Sequence, residues 1–183
     1  MMQTGTSWNP AAKFFHWLIA ALILAQIALG LIAVNWPLSP LKLNLFVWHK
    51  SIGIMVLALV VLRLLWRLAH AVPALPPDTP AWERTVARAS HFLLYVAMIA
   101  MPVTGWIISS ASGIPFRIFW WIPLPAIVAV DENVAALAKF AHFSLFVLLA
   151  ALLLVHVGAA LRHHYVKRND VLARMLPFTG KPQ

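Results

Sequence analysis

The chain has 183 residues, of which 62% are apolar and only 10% are charged. Soluble domains are typically about 45–50% apolar and about 25% charged, so a water-soluble globular enzyme is excluded, and so is a disordered chain. There is no Cys, which excludes disulfides, Cys-ligated zinc, iron–sulfur clusters and thioether-attached haem. The net charge is +9, but the charges flank apolar runs, which indicates membrane topology rather than nucleic-acid binding.

Four apolar segments follow one another along the chain. Each reaches the ~20 residues that a helix needs to cross a bilayer. Only helices or closed barrels can satisfy their backbone groups in lipid, so we predict an all-α integral membrane four-helix bundle that forms one domain over residues 1–183. The predicted spans are 14–34, 45–68, 88–109 and 135–165.

The basic residues predict the orientation of the bundle. Ten of the 14 fall on one side of the predicted spans: Lys13, Arg63, Arg67, Arg84, Arg88, Arg162, Lys167, Arg168, Arg174 and Lys181. The other side carries Lys42, Lys50, Arg117 and Lys139. The richer side should be cytoplasmic, which places both termini inside. The apolar stretch 113–130 should lie in the outer interface or cap the outer end of the bundle.

Histidine is unusually frequent for so apolar a chain, with eight copies. His142 and His156 are 14 residues apart on the fourth span, so they share a face and lie about 21 Å apart along the helix. Two stacked haem groups in a four-helix bundle need such a separation, whereas one metal site uses spacings of three or four residues. A single core histidine bonded to a backbone carbonyl is the alternative for each one taken alone.

The predicted depth of each histidine in the membrane indicates which histidines pair with His142 and His156. His49 is the only other histidine predicted at the outer side, so it pairs with His142. The partner of His156 is His16 or His91, and His16 is preferred. Two histidines on one iron fill both axial positions and favour electron transfer over oxygen binding. All five carboxylates lie outside the spans, which argues against a divalent-cation transporter.

Several stretches of the chain resemble the bacterial cytochrome b561 family, in order and at similar spacing over nearly the whole length. The matching stretches are His16-Trp17, 49–54, 62–64, 89–91, 100–105, His142, His156, 161–165, 169–170 and 172–177. The resemblance implies a multi-pass protein of the bacterial inner membrane with two haem b groups. It implies His16 and His156 as ligands of the inner haem iron and His49 and His142 as ligands of the outer one.

The family includes superoxide:ubiquinone oxidoreductases, so the resemblance implies electron transfer from periplasmic superoxide to ubiquinone. It associates His91 and His163 with the quinone region. Ser90 is a weaker candidate there, because its place at a helix start also explains its hydroxyl. Arg63 and Arg67 either pair with haem propionates or extend to the interface.

The four outer basic residues, Lys42, Lys50, Arg117 and Lys139, either attract superoxide electrostatically or anchor the span ends at lipid headgroups. The alternative function is a haem-carrying relay subunit, which takes electrons from a periplasmic dehydrogenase or cytochrome partner. An attracting funnel predicts basic side chains that converge on a haem edge. A docking site for a redox protein predicts an exposed apolar patch around Trp120 and Trp121.

Overall fold

Four long α-helices form almost the whole fold, as predicted. The computed structural model describes residues 7–76 and 79–177, so the predicted inner residue Lys181 lies outside the described residues. All four helices are long and apolar enough to cross a membrane. They are α1 (Pro10–Asn35), α2 (Pro40–Ala69), α3 (Ala81–Ala111) and α4 (Glu132–Tyr165).

Each of the four helices begins before its predicted span, and α1, α2 and α4 do so at polar capping residues, whereas α3 follows Pro80 without a side-chain cap. The side chains of Asn9, Ser39 and Asp131 accept backbone N–H groups of the first turns of α1, α2 and α4, and Pro10 and Pro40 occupy first helical positions. Such residues pre-form a helix start without adding apolar character. Hydropathy therefore indicates only the part of each helix that suits hydrocarbon, and the predicted spans are shorter than the helices.

The helices pack in sequence order, α1 on α2, α2 on α3 and α3 on α4. A small apolar core joins them, centred on Ile19, Val60 and Ala97. Most other apolar side chains point outward. In the most apolar 18-residue stretch of α4, only 6% of the residues are buried against protein. A bundle that is apolar all round its surface is stable in lipid and not in water.

The two ends of the described chain meet at one end of the bundle. The backbone N–H of Trp8 bonds the Arg174 carbonyl at 3.4 Å, and the Trp17 indole donates to the Met175 carbonyl at 2.9 Å. We call this the inner end and the opposite one the outer end. The described chain therefore starts and ends at the same end of the bundle, and the placement of both termini in the cytoplasm stays a prediction.

An ion-pair cluster ties α3 to α4 at the inner end. Glu83, in the first turn of α3, pairs with Arg162 and Lys167, with Nζ of Lys167 2.5 Å from its carboxylate. The ring of His163 lies 3.8 Å from the same carboxylate through Nε2 and 2.9 Å from the Asn169 amide through Nδ1. The cluster fixes the end of α4 against the start of α3.

A short hairpin in the connection from α3 to α4 was not predicted. Its strands are β1 (Phe116–Ile118) and β2 (Ile122–Leu124). Phe119 and Trp120, in the turn between them, have φ values of 46° and 67°, a conformation that normally selects Gly, Asn or Asp. No such residue marks this turn, so the sequence carries no hairpin signal, and contacts with α2 must hold the strained backbone.

The hairpin rests on the outer part of α2. The Trp48 ring lies 5.4 Å from the Phe119 ring and 5.5 Å from the Trp120 ring. Ser51, fully buried, accepts the backbone N–H of Phe119 at 2.8 Å. Trp121 stands out from the tip and is 82% exposed, so the hairpin presents an aromatic surface at the outer end.

Candidate functional site

A pair of histidines faces each other near the outer end of the bundle. His49 on α2 and His142 on α4 have ring centroids 6.3 Å apart. Two imidazoles that bind opposite sides of one metal, each with its nitrogen about 2 Å away, have centroids about 6 Å apart. The structure thus brings together the two outer histidines that depth and the resemblance paired, at a separation that suits two axial ligands.

Three histidines meet nearer the inner end. The His156 ring lies 6.1 Å from the His16 ring and 5.5 Å from the His91 ring. The first separation suits axial ligation, and the second falls short of it. The geometry therefore favours His16 as the partner of His156 and leaves His91 beside the pair.

The chemistry of these histidines fits a haem group. Nδ1 of His16 and Nδ1 of His49 are buried with no hydrogen-bond partner among the described residues, although histidines that serve packing alone are normally bonded. No group of three or more His, Cys, Asp or Glu in 7–76 and 79–177 forms a metal cage. Pairs of axial ligands without further protein ligands suit a metal whose other ligands come from a macrocycle.

Thr104 on α3 sets the tautomer of His142. Its hydroxyl lies 3.0 Å from Nδ1 of His142 and donates to the carbonyls of Ala100 and Met101 at 3.0 and 2.8 Å. Because its single proton is directed at those carbonyls, the hydroxyl accepts from Nδ1–H of His142. The lone pair of the ring is then on Nε2, where a metal would bind. Thr104 lies within the matching stretch 100–105, but no pattern in the sequence marks its contact with His142.

We predict that Thr104→Val weakens the outer haem site about 10-fold. A group that hydrogen-bonds the other ring nitrogen of a metal-bound histidine typically contributes about 10–100-fold in metal affinity. The outer haem should also become easier to reduce, since a ring that donates no hydrogen bond is a poorer electron donor. Haem occupancy and a redox titration measure both effects. Thr104→Ser keeps the hydroxyl and should behave as wild type, and equal losses in the two variants would contradict the tautomer role.

Two glycines allow the outer pair of rings to lie close to neighbouring helices. A Cβ added to Gly30 on α1 would lie 3.1 Å from Cε1 of His49, and one added to Gly105 on α3 would lie 3.4 Å from Cε1 of His142. The first distance is too short without movement of the ring, and the second is an ordinary contact. A methyl group at position 30 would therefore require the His49 ring to move by a few tenths of an ångström.

We expect Gly30→Ala to weaken the outer haem site more than Gly105→Ala. Overpacking typically costs about 1–3 kcal/mol, and here the cost falls on the orientation of the His49 ring. Titration of the haem content of the two purified variants tests the ranking. A larger loss in Gly105→Ala would show that His49 adjusts to the added methyl group.

Gln26 on α1 is a polar side chain deep in the bundle that sequence analysis missed. Its Nε2 donates to the backbone carbonyl of His49 at 2.7 Å, and its Oε1 is buried with no partner among the described residues. A Cβ on Gly53 would lie 3.1 Å from that Nε2. Gln26 thus connects α1 to the turn of α2 that carries His49.

The three predicted quinone residues, His91, His163 and Ser90, have different surroundings in the structure. His91 lies against His156, while both ring nitrogens of His163 face the Glu83 and Asn169 side chains. The hydroxyl of Ser90 donates to the Ala87 carbonyl one turn back at 3.1 Å, as serines inside helices commonly do. His91 is the one of the three that the structure sets beside a candidate ligand.

The four outer basic residues do not form one cluster of free cations. The Lys42 ammonium donates to the carbonyls of Val34 and Trp36 at the end of α1, which supports the structural interpretation for this residue. The Lys50 ammonium lies 5.6 Å from the centre of the Phe116 ring. Arg117 on β1 and Lys139 on α4 are exposed. These contacts leave Lys50, Arg117 and Lys139 as the candidates for attracting an anion.

Comparison with known proteins identifies the family of the chain. Residues 7–178 match the prokaryotic cytochrome b561 family. The chain is 36% identical to cytochrome b561 homolog 2 of Escherichia coli (strain K12), over 95% of this chain and 93% of that protein. It is 31% identical to cytochrome b561 homolog 1 of the same organism and 30% identical to the probable superoxide oxidase CybB of Yersinia pestis, each over 70% of this chain and 73% of the relative. The chain therefore belongs to the prokaryotic cytochrome b561 family, whose members are multi-pass membrane redox proteins that bind haem b.

Proposed function

We propose that the chain is a di-haem oxidoreductase of the bacterial inner membrane that takes electrons from periplasmic superoxide and passes them to ubiquinone. The observation that carries this proposal is the presence of two histidine pairs, with ring centroids 6.3 and 6.1 Å apart, at different depths of one apolar bundle. His142 and His156 lie 14 residues apart on the continuous helix α4, about 21 Å along its axis. The outer end would face the periplasm and the inner end the cytoplasm.

The superoxide end of the proposal is supported by charge and by one relative. Superoxide is a small anion, and exposed cations near an electron acceptor raise its local concentration and rate of arrival. Lys50, Arg117 and Lys139 would provide this field at the outer end. One 30% identical relative carries the name probable superoxide oxidase. Haem b, if held by these histidine pairs, would supply one-electron transfer.

The quinone end requires groups that bind two carbonyls and supply protons. Two superoxide anions each give up one electron and become dioxygen, while one ubiquinone takes two electrons and two protons and becomes ubiquinol. His91, beside His156, would hydrogen-bond a quinone carbonyl and deliver a proton to its oxygen. Ser90 would be the weaker second contact, because its proton already bonds the Ala87 carbonyl.

Rapid mixing of the oxidised, detergent-purified protein with superoxide tests the proposal. Haem absorbance should show fast reduction that superoxide dismutase abolishes, followed by reoxidation when ubiquinone is added. Arg117→Gln should lower the rate constant of reduction at low ionic strength, whereas Arg88→Gln, exposed at the inner end, should not. Haem that is present but unreactive towards superoxide would overturn the proposed electron donor.

A relay subunit is the second candidate, and one observation favours it. Trp121 is 82% exposed and its neighbours Trp120 and Ile122 are 43% and 61% exposed, so the outer hairpin carries the apolar patch that docking of a redox protein predicts. In this function a protein donor would deliver the electrons at the outer end. Reduction of the haem by a soluble cytochrome, lost in Trp121→Ser and insensitive to superoxide dismutase, would support this candidate.

A further inference from the structure

Two guanidinium groups converge on one aromatic ring near the inner end. Arg63 and Arg67 lie one turn apart on α2, and each guanidinium carbon is 5.8 Å from the centre of the Tyr95 ring on α3. Arg67 also lies 6.0 Å from the Trp8 ring. The ring faces attract each cation, but two like charges held at one ring repel each other, and this arrangement suits a shared anion.

The described part of the chain provides no carboxylate for these two arginines. At the inner end Glu83 pairs with Arg162 and Lys167, and Asp170 pairs with Arg174 at 2.9 Å. The remaining described carboxylates, Asp131 and Glu132, begin α4 at the opposite end. Both arginines are only partly exposed and lie at one ring, so an anion from outside the chain would offset their mutual repulsion.

The surroundings of the arginines limit what this anion can be. They line a cavity of about 20 Å³ together with Trp8, Ala12 and Tyr95, and Ala12 lies one helical turn before His16. A volume of this size holds a group comparable to a water molecule or a carboxylate head, and it is too small for a quinone ring.

We propose that Arg63 and Arg67 form a binding site for an anionic oxygen group, and that this group is a carboxylate of the haem held between His16 and His156. Guanidinium groups bind carboxylates through paired, planar hydrogen bonds. The inference rests on the inner haem of the proposed function. A phosphate of an anionic lipid has the same chemistry, but Ala12, one helical turn before His16, lines the same cavity, which favours a ligand inside the bundle.

The site has a consequence for the inner haem that does not depend on superoxide. Positive charge near the iron stabilises the form that has gained an electron, so the two arginines raise the midpoint potential of the inner haem. Removal of either charge should lower that potential and leave the outer haem unchanged. The effect separates this site from a general requirement of the fold for arginine.

Redox titration of the haem absorbance in phosphatidylcholine nanodiscs, with and without added phosphatidylglycerol, tests the site. Arg63→Gln and Arg67→Gln should each shift the inner potential downward by the same amount in both lipids. Arg63→Lys, which keeps the charge, should shift it less, and Arg88→Gln is the matched control that should shift neither potential. If Arg63→Gln loses the inner haem, retention in Arg63→Lys would still support the site.

Two results would overturn the inference. One is an unchanged inner potential in both Gln variants with both haems bound. The other is an arginine-dependent shift that occurs only with phosphatidylglycerol, which would assign the site to a lipid phosphate. Failure of the proposed function looks different, because a protein that ignores superoxide but keeps an arginine-dependent inner potential would lack the proposed donor and retain this site.

Discussion

Replacing His49 or His142 with Ala should remove one and the same haem, so that each variant holds one haem in place of two. Replacing His16 or His156 should remove the other. The reason is geometric, because each pair of rings has the separation of two axial ligands and loss of one ligand leaves a single bond to the iron. Haem-to-protein ratios, combined with redox titration to identify the remaining haem, measure the result.

His164 provides the matched control for this experiment. It is exposed at the inner end and lies outside the two pairs, so its Ala variant should keep both haems. Loss of different haems in His49→Ala and His142→Ala would refute the outer pairing. Loss of both haems in all four ligand variants would mean that the two sites fold as one unit, and single Met substitutions, which keep an axial ligand atom, would then be needed to identify each site.

The arrangement of helices was accessible from the sequence because lipid imposes a simple rule on the chain. Apolar runs of sufficient length must form helices, and all four predicted spans correspond to helices in the structure. Depth then follows from position along each run. His49 and His142 could be matched by depth alone, since each occurs near the outer end of its helix, and the structure sets their rings face to face.

The inner histidines were harder to assign because three of them lie at similar depth. Depth cannot distinguish His16 from His91 as a neighbour of His156, since both lie in the inner parts of their helices, six residues after the start of α1 and ten residues after the start of α3. Only the separations of 6.1 and 5.5 Å favour one over the other. His163 lies seven residues beyond His156 on α4, about 10 Å further towards the inner end. Its contacts with Glu83 and Asn169 depend on how two helix ends meet, which no local pattern predicts.

The residues that position the outer histidines were not predicted, for a related reason. Thr104, Gln26 and Gly30 act across helix interfaces, on a ring nitrogen, a backbone carbonyl and a ring edge of the outer histidines. Nothing in a single sequence distinguishes such a threonine or glycine from one that only packs helices. Gln26 carried the best signal, because an amide in the middle of an apolar run must find a partner.

The convergence of Arg63 and Arg67 illustrates the same limit for charge. Their spacing of four residues predicts one helix face, but an arginine near the end of a span normally extends to the interface. The Tyr95 ring on another helix, 5.8 Å from both guanidinium carbons, is what directs them together. A site of this kind becomes visible only when three helices are placed relative to one another.

His91→Ala should keep both haems and slow the reduction of ubiquinone by about 100-fold, the lower range expected for loss of a group that transfers protons. His91 lies beside His156 but closer than an opposed axial ligand would, so its ring is available for hydrogen bonds to a quinone. The protein would be reduced anaerobically, mixed rapidly with ubiquinone, and followed by haem absorbance. Reduction by superoxide, which occurs at the outer end, should keep its wild-type rate.

His163→Ala is the informative comparison for His91→Ala. Both ring nitrogens of His163 already face protein groups, so its loss should slow quinone reduction much less. If the His91→Ala variant lacks the inner haem, then His91 and not His16 is the ligand that pairs with His156. Two intact haems with unchanged ubiquinone kinetics would instead place the quinone away from His91 altogether.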